Sequence, residues 1–139
     1  MSKRTVARTG GRILIDQLLI NGCDRIFTVP GESFLAVLDA LHDTPEIETI
    51  TCRHEGGAAY MADADGKMTG RPGIAFVTRG PGATNASGGV HVAYQDSTPM
   101  ILFIDDVRAR RKNVRLRDAV LGRAATGPVG ECVVLGVFR

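Results

Sequence analysis

The sequence contains no tryptophan and few aromatic residues of any kind. Its 139 residues include two tyrosines and five phenylalanines, and the net charge is +2. Surfaces that bind nucleic acid by stacking interleave basic and aromatic side chains. The densest basic run, Arg108 to Arg117, contains no aromatic residue, and such a run is more typical of a solvated face or tail. We therefore expect no nucleic-acid partner.

Cysteines are equally few, and long apolar runs are lacking. Cys23, Cys52 and Cys132 are widely spaced without a CxxC pair, so we expect small buried side chains in a reducing compartment, with no disulfide framework and no cysteine-based metal site. No apolar run approaches the roughly 20 residues that span a bilayer. Lys3 and Arg4 lead into a helical pattern without an apolar signal core. These features predict a cytoplasmic protein with no membrane contact.

Helical and strand-like segments alternate along the chain, and short loops join them. The helices are predicted from apolar spacing and from capping or breaking residues such as Thr9, Asn21-Gly22 and Pro45. The predicted helices are 9–21, 34–42, 55–68 and 83–94, and the predicted strands are 25–29, 47–52, 74–78 and 100–104, with a further strand at 132–138.

This alternation predicts an α/β fold with three α/β/α layers around a mainly parallel sheet. Segments 74–78 and 100–104 are continuously apolar, as strands are when helices cover both faces of a parallel sheet. Ligands of such sheets bind beyond the carboxyl ends of the strands. We therefore expect any chemistry in the loops that begin at Pro30, Arg53, Arg79 and Asp105.

Three of these loops carry recognisable segments: FTVPGES at 27–33, RHEGGAAYMADA at 53–64 and TRGPGATNA at 78–86. In this order and spacing they resemble the N-terminal, pyrimidine-binding domain of thiamine-diphosphate enzymes of the acetolactate synthase type. The resemblance covers roughly residues 5–104. It implies the thiamine-diphosphate-binding fold and a role in forming or cleaving C–C bonds of 2-oxo acids through a thiamine carbanion, as a lyase or transferase.

Glu55 is the leading catalytic candidate, because it matches the family glutamate that bonds to the pyrimidine ring of the cofactor. A carboxylate at that ring nitrogen favours the imino tautomer that serves as base. Position alone also allows a plainer role, since an acid at a helix N-terminus is stabilised by the helix dipole. The neighbouring His54 is expected to be a neutral turn residue. Asp63 and Asp65 are expected to be surface charges or polar groups at a helix end.

The other candidates follow from the same resemblance. His91 stands alone, without the histidine pair of pyruvate decarboxylase, which argues against the simple decarboxylase branch. Each of three candidates has an alternative role. Ser33 could cap a helix, Glu32 could be a first-turn helix acid, and His91 could be structural. The expected cofactor contacts are Pro30, Gly31, Glu55, Gly80, Pro81, Gly82 and Asn85, and the substrate-side candidates are Glu32, Ser33, His91 and Gln95.

The resemblance also implies what this sequence lacks. Enzymes of this family hold the diphosphate and Mg²⁺ with a Gly-Asp-Gly motif that ends in Asn-Asn, and no such run occurs here. We therefore expect half of a site, which is inactive alone and completed by a second copy in a homo-oligomer, such as a dimer, or by a diphosphate-domain subunit. Thiamine diphosphate is the expected cofactor, and FAD is possible in complete relatives.

The pattern changes after Ile104. We expect a domain over residues 1–104 and a divergent basic tail over 105–139, produced by a change of reading frame or a truncation; a genuine surface helix near 107–121 is the alternative. Two other functions stay open at this point. One is a non-catalytic remnant or binding module of the same fold, and the other is a flavodoxin-like nucleotide-binding protein, for which the loops match poorly.

Overall fold

The computed structural model describes residues 8–105 and 132–137. Within them the chain forms four α-helices, one short 3₁₀ turn at Glu32–Phe34 and five strands. The helices are α1 (Gly10–Ile20), α2 (Leu35–His42), α3 (Glu55–Thr69) and α4 (Pro81–Gln95). The strands are β1 (Arg25–Thr28), β2 (Glu48–Thr51), β3 (Gly73–Thr78), β4 (Met100–Asp105) and β5 (Cys132–Val137).

The strands form one sheet in the order β2-β1-β3-β4-β5. The first four are parallel, with Phe27 paired to Ile50 on one side and to Ala75 on the other. β5 runs antiparallel to β4, with Leu135 opposite Leu102. The predicted mainly parallel sheet is therefore confirmed, including the strand that begins at Cys132.

Helices cover both faces of this sheet. α1 and α2 pack on one face around a cluster that includes Ile15, Phe76 and Phe103, in which the two rings stack with centroids 4.5 Å apart. α3 and α4 cover the other face, where alanines dominate the helix side of a second cluster. This arrangement confirms the three α/β/α layers.

The contact between α3 and α4 depends on small residues. Ala59 on α3 is fully buried, and Gly89 on α4 lies directly against it. A Cβ at residue 89 would lie 2.6 Å from the Ala59 Cβ and 2.8 Å from the backbone nitrogen of Tyr60. Glycine at this position therefore sets how closely the two helices approach.

Two predicted helix starts prove instructive. The Thr9 side chain accepts a hydrogen bond from the Arg12 amide at 3.1 Å, so the predicted cap of α1 is confirmed. α4 begins at Pro81 and not at Ala83, because proline needs no backbone partner in the first turn. Gly80 precedes it with φ of 64°, a conformation that glycine adopts without strain.

Asp63 was expected to be a surface charge or a polar group at a helix end, and both expectations are wrong, since it lies in the middle of α3. The residue is 4% exposed on the inner face of α3. Its Oδ2 accepts a hydrogen bond from Lys67 at 2.7 Å, and Lys67 also reaches Asp96 at 2.6 Å. Asp63 thus helps to join the ends of α3 and α4. Asp65, in contrast, is only half-buried.

The described residues contain no membrane-crossing candidate. Among residues 8–105 and 132–137, no helix has the length and apolar character needed to span a bilayer.

Candidate active site

The sheet order directs attention to the gap between β1 and β3. From β1 the chain passes through α2 to β2 on one side, and then returns through α3 to β3 on the other. In parallel sheets such a reversal opens a crevice at the carboxyl ends of the strands, where ligands bind. The three motif segments lie here, since each follows the carboxyl end of β1, β2 or β3.

Glu55 is the first residue of α3, immediately after the β2 loop. His54 caps the helix, because its Nδ1 accepts a hydrogen bond from the Gly56 amide at 3.0 Å. This contact assigns His54 the turn role that its position predicted. The cap and the first helical turn together fix the backbone from which the half-buried Glu55 side chain extends.

The Glu55 carboxylate contacts α4. Asn85 donates a hydrogen bond from Nδ2 to Oε2 of Glu55 at 2.9 Å, although the two residues are 30 positions apart. This bond lowers the pKa of Glu55, and the backbone amide of Glu55 and attraction to His54 lower it further. Partial burial acts in the opposite direction without reversing the shift. Glu55 is therefore an ionised acceptor at neutral pH.

Gly82 lies beside the other oxygen of Glu55 and against Thr78. A Cβ at residue 82 would lie 3.5 Å from Oε1 of Glu55 and 2.5 Å from Oγ1 of Thr78. Gly31, in the β1 loop, packs against the Cγ2 methyl group of the same threonine. Thr78 thus contacts both the loop after β1 and the first turn of α4, and the two glycines permit that approach.

The structure therefore brings Glu55, Asn85, Gly82 and Gly31 into one region, and their role in binding a cofactor stays a prediction. Pro30 in the loop after β1, Gly80 before α4 and Pro81 at the start of α4 adjoin this region. The sequence interpretation missed Thr78, whose only signal is its place as the last residue of β3, directly before the Arg79-Gly80 turn.

The substrate-side candidates are placed differently. His91 and Gln95 are exposed on α4, and with ~1.5 Å of rise per residue they lie about 15 and 21 Å along the helix from Pro81. Their substrate-side role stays a prediction that this placement does not support. Glu32 is exposed in the 3₁₀ turn, within the loop after β1.

Ser33 is not a helix cap, and that interpretation is wrong. The position before α2 is Phe34, which makes no side-chain capping bond, and the 3₁₀ turn likewise begins without one. The Ser33 hydroxyl is instead buried without a hydrogen-bond partner. A substrate contact is the role that stays open for it.

The model of the family "Thiamine pyrophosphate enzyme, N-terminal TPP binding domain" matches residues 8–125. The chain belongs to this family. Thiamine pyrophosphate is another name for thiamine diphosphate. The match extends beyond residue 104, where loss of periodicity predicted the end of the domain. The predicted domain boundary at residue 104 and the predicted origin of the segment 105–139 stay predictions. Most of that segment lies outside the described residues, which resume only at 132–137.

Similar proteins narrow the family to an acetolactate synthase-like domain. The chain is 38% identical over 129 residues to acetolactate synthase of Bacillus subtilis (strain 168), covering 89% of this chain and 22% of the relative. It is 41% identical over 136 residues to the acetolactate synthase large subunit of Buchnera aphidicola subsp. Acyrthosiphon pisum, covering 94% and 21%. It is 40% identical over 102 residues to the mitochondrial acetolactate synthase catalytic subunit of Aspergillus candidus, covering 73% of this chain and 15% of the relative. The chain thus spans about a fifth of these curated relatives.

The described residues fit the pyrimidine end of thiamine diphosphate. An ionised carboxylate at a strand-to-helix turn is a suitable acceptor for a ring N–H, and Gly82 leaves space beside its Oε1. Over residues 8–105 and 132–137, no group of three or more His, Cys, Asp or Glu side chains is placed to hold a metal ion. The fit that these residues support is to the ring of the cofactor.

Proposed function

We propose that this chain supplies the pyrimidine-binding half of the active site of an acetolactate synthase-like enzyme that acts on 2-oxo acids such as pyruvate. The observation that carries the proposal is the Glu55 carboxylate, which is ionised and held at 2.9 Å by Asn85 at the sheet crevice. When bound, thiamine diphosphate supplies a nucleophilic carbon for forming or breaking the bond beside a 2-oxo group.

In this proposal Glu55 accepts a hydrogen bond from the pyrimidine ring and stabilises the protonated ring nitrogen. Such a contact tunes the basicity of the amino group on the same ring, as general acid–base catalysis requires. The space that receives the ring is shaped by residues of the loop after β1 and of the start of α4, namely Pro30, Gly31, Gly80, Pro81 and Gly82. Glu32 and Ser33 follow the same loop and are the proposed substrate-side residues.

The remaining parts of the site are proposed to lie outside this chain. Mg²⁺ and the diphosphate group need ligands that the resemblance assigns to another domain, either in a second copy of a longer subunit or in a separate subunit. FAD is proposed only for complete relatives. A transferase-type reaction is favoured over a lyase reaction, because the relatives are named acetolactate synthases. A cytoplasmic location also stays a proposal.

The test is complementation. The partner is the Bacillus subtilis relative without the segment that aligns with this chain, mixed with the chain, thiamine diphosphate, Mg²⁺ and pyruvate. We expect acetolactate formation by the wild-type mixture and a loss of at least about a hundredfold with Glu55→Gln, as expected when an acid–base group is removed.

Glu46→Gln is the matched control, since Glu46 is an exposed glutamate far from the crevice in the fold, and it should leave the rate unchanged. Near-normal turnover by Glu55→Gln would contradict the assignment. An inactive wild-type mixture, in which the chain nevertheless binds its partner, would favour the non-catalytic binding module.

A further inference from the structure

We propose that Asn85 is a positioning residue, which holds one oxygen of Glu55 so that the other faces the crevice between β1 and β3. This inference rests on the proposed function, and it changes the role expected for Asn85 from a direct cofactor contact to one exerted through Glu55. Nothing in the sequence pattern pairs these two residues.

The two oxygens of the Glu55 carboxylate have different neighbours. Oε2 accepts the Asn85 hydrogen bond, whereas Oε1 lies next to Gly82. A glutamate side chain has three rotatable bonds, and a freely rotating carboxylate would lose that freedom when a ligand binds. A fixed donor on a neighbouring helix orders the side chain before any ligand arrives, which is the benefit of preorganisation.

A backbone contact between α3 and α4 brings Asn85 within reach of Glu55. Gly56 is buried, and a Cβ there would lie 3.1 Å from the Asn85 carbonyl oxygen and 3.0 Å from Nδ1 of His54. The first turns of α3 and α4 are therefore closely packed beside the carboxylate. The amide donor is held by the helix–helix contact and not by a mobile loop.

The donor to Glu55 is an uncharged amide. Asparagine brings a neutral N–H group, so it stabilises the ionised carboxylate without placing a competing positive charge in the crevice. His54 is the titratable neighbour that affects Glu55 electrostatically. A lysine at residue 85 would neutralise the carboxylate, while an aspartate would repel it.

The test measures the Glu55 carboxylate directly, by ¹³C NMR titration of the chain, with Glu55→Gln identifying the resonance. We expect Asn85→Ala to raise the pKa of Glu55 and Asn85→Asp to raise it further, while circular dichroism stays unchanged because Asn85 is exposed. Thr84→Ala is the control, since Thr84 is exposed beside Asn85 and its hydroxyl donates to the Gly80 carbonyl and not to Glu55. An unshifted pKa in both Asn85 variants would overturn the proposal.

A second measurement connects this contact to the cofactor. In the mixture with the truncated Bacillus relative, Asn85→Ala should weaken thiamine-diphosphate affinity about tenfold, as the loss of one hydrogen bond to a charged group does, and Thr84→Ala should not change it. Unchanged affinity with Asn85→Ala would refute the positioning role. If Glu55→Gln binds and reacts like wild type, the proposed function itself fails, whatever the Asn85 variants show.

Discussion

Replacement of Gly89 by alanine should destabilise this domain, although alanine is the better helix former. In an exposed helix interior the change from glycine to alanine stabilises by about 0.5–1 kcal/mol. At residue 89 the added Cβ would lie 2.6 Å from the Ala59 Cβ, 2.7 Å from its carbonyl carbon and 2.8 Å from the Tyr60 nitrogen. Two of these atoms are backbone, so they cannot move away by a rotamer change.

The magnitude follows from the balance of the two effects. Overpacking of a well-packed core costs about 1–3 kcal/mol and sometimes more, and contacts with backbone atoms place this site at the upper end. Subtracting the helix gain leaves a net loss of about 2 kcal/mol. For a domain of this size the melting temperature should fall by roughly 6–10 °C.

Gly57→Ala provides the matched control on the other helix of the pair. Gly57 is exposed in α3, and no heavy atom lies within 4 Å of the position that an added Cβ would take. This variant should therefore gain about 0.5–1 kcal/mol. Thermal and urea unfolding followed by circular dichroism measure both changes. A Gly89→Ala protein as stable as wild type, or more so, would refute the packing argument.

Three further predictions concern the core, the charges and the surface. Thr28→Val should cost about 1–2 kcal/mol in urea unfolding, because the buried Thr28 hydroxyl donates to the Phe76 carbonyl at 2.9 Å; an unchanged unfolding midpoint would contradict this. The Arg71 guanidinium lowers the pKa of Asp24, so its contribution to stability is present above the ordinary aspartate pKa and lost as the pH falls through the lowered value. Asp24→Asn should flatten the acid side of the stability profile, and an unaltered profile would exclude the contribution. Large apolar side chains are exposed on α3 and α4, namely Tyr60, Met61, Met68 and Tyr94. Light scattering should therefore show self-association of the isolated chain, and a monomer at high concentration would argue against it.

Local patterns predicted the architecture because each element carries its own signals. Thr9 and the apolar spacing after it define α1, and the continuous apolar runs define β3 and β4. The small residues of α3 permit the close contact between Ala59 and Gly89. The start of α4 shifted by two residues, since the choice between Pro81 and Ala83 depends on the turn at Gly80.

The candidate site was only partly predictable. Glu55 followed from the motif around it, but its bond to Asn85 joins residues 30 positions apart and depends on how α3 meets α4. Thr78 carries no chemical signal in the sequence, because its role comes from contact with two glycine loops. The burial of Asp63 was available from helical spacing, since it shares a face with the buried Ala59, Ala62 and Gly66.

The pyrimidine-binding role of this domain is tested most directly by calorimetric titration of thiamine diphosphate and Mg²⁺ into this chain, into the truncated Bacillus relative and into their mixture. We expect weak or undetectable binding by the chain alone and by the partner alone. The mixture should bind tightly, and Glu55→Gln should abolish this gain. Tight, magnesium-dependent binding by the isolated chain, or a mixture that binds no better than the partner alone, would contradict the claim that this domain provides the pyrimidine half of the site.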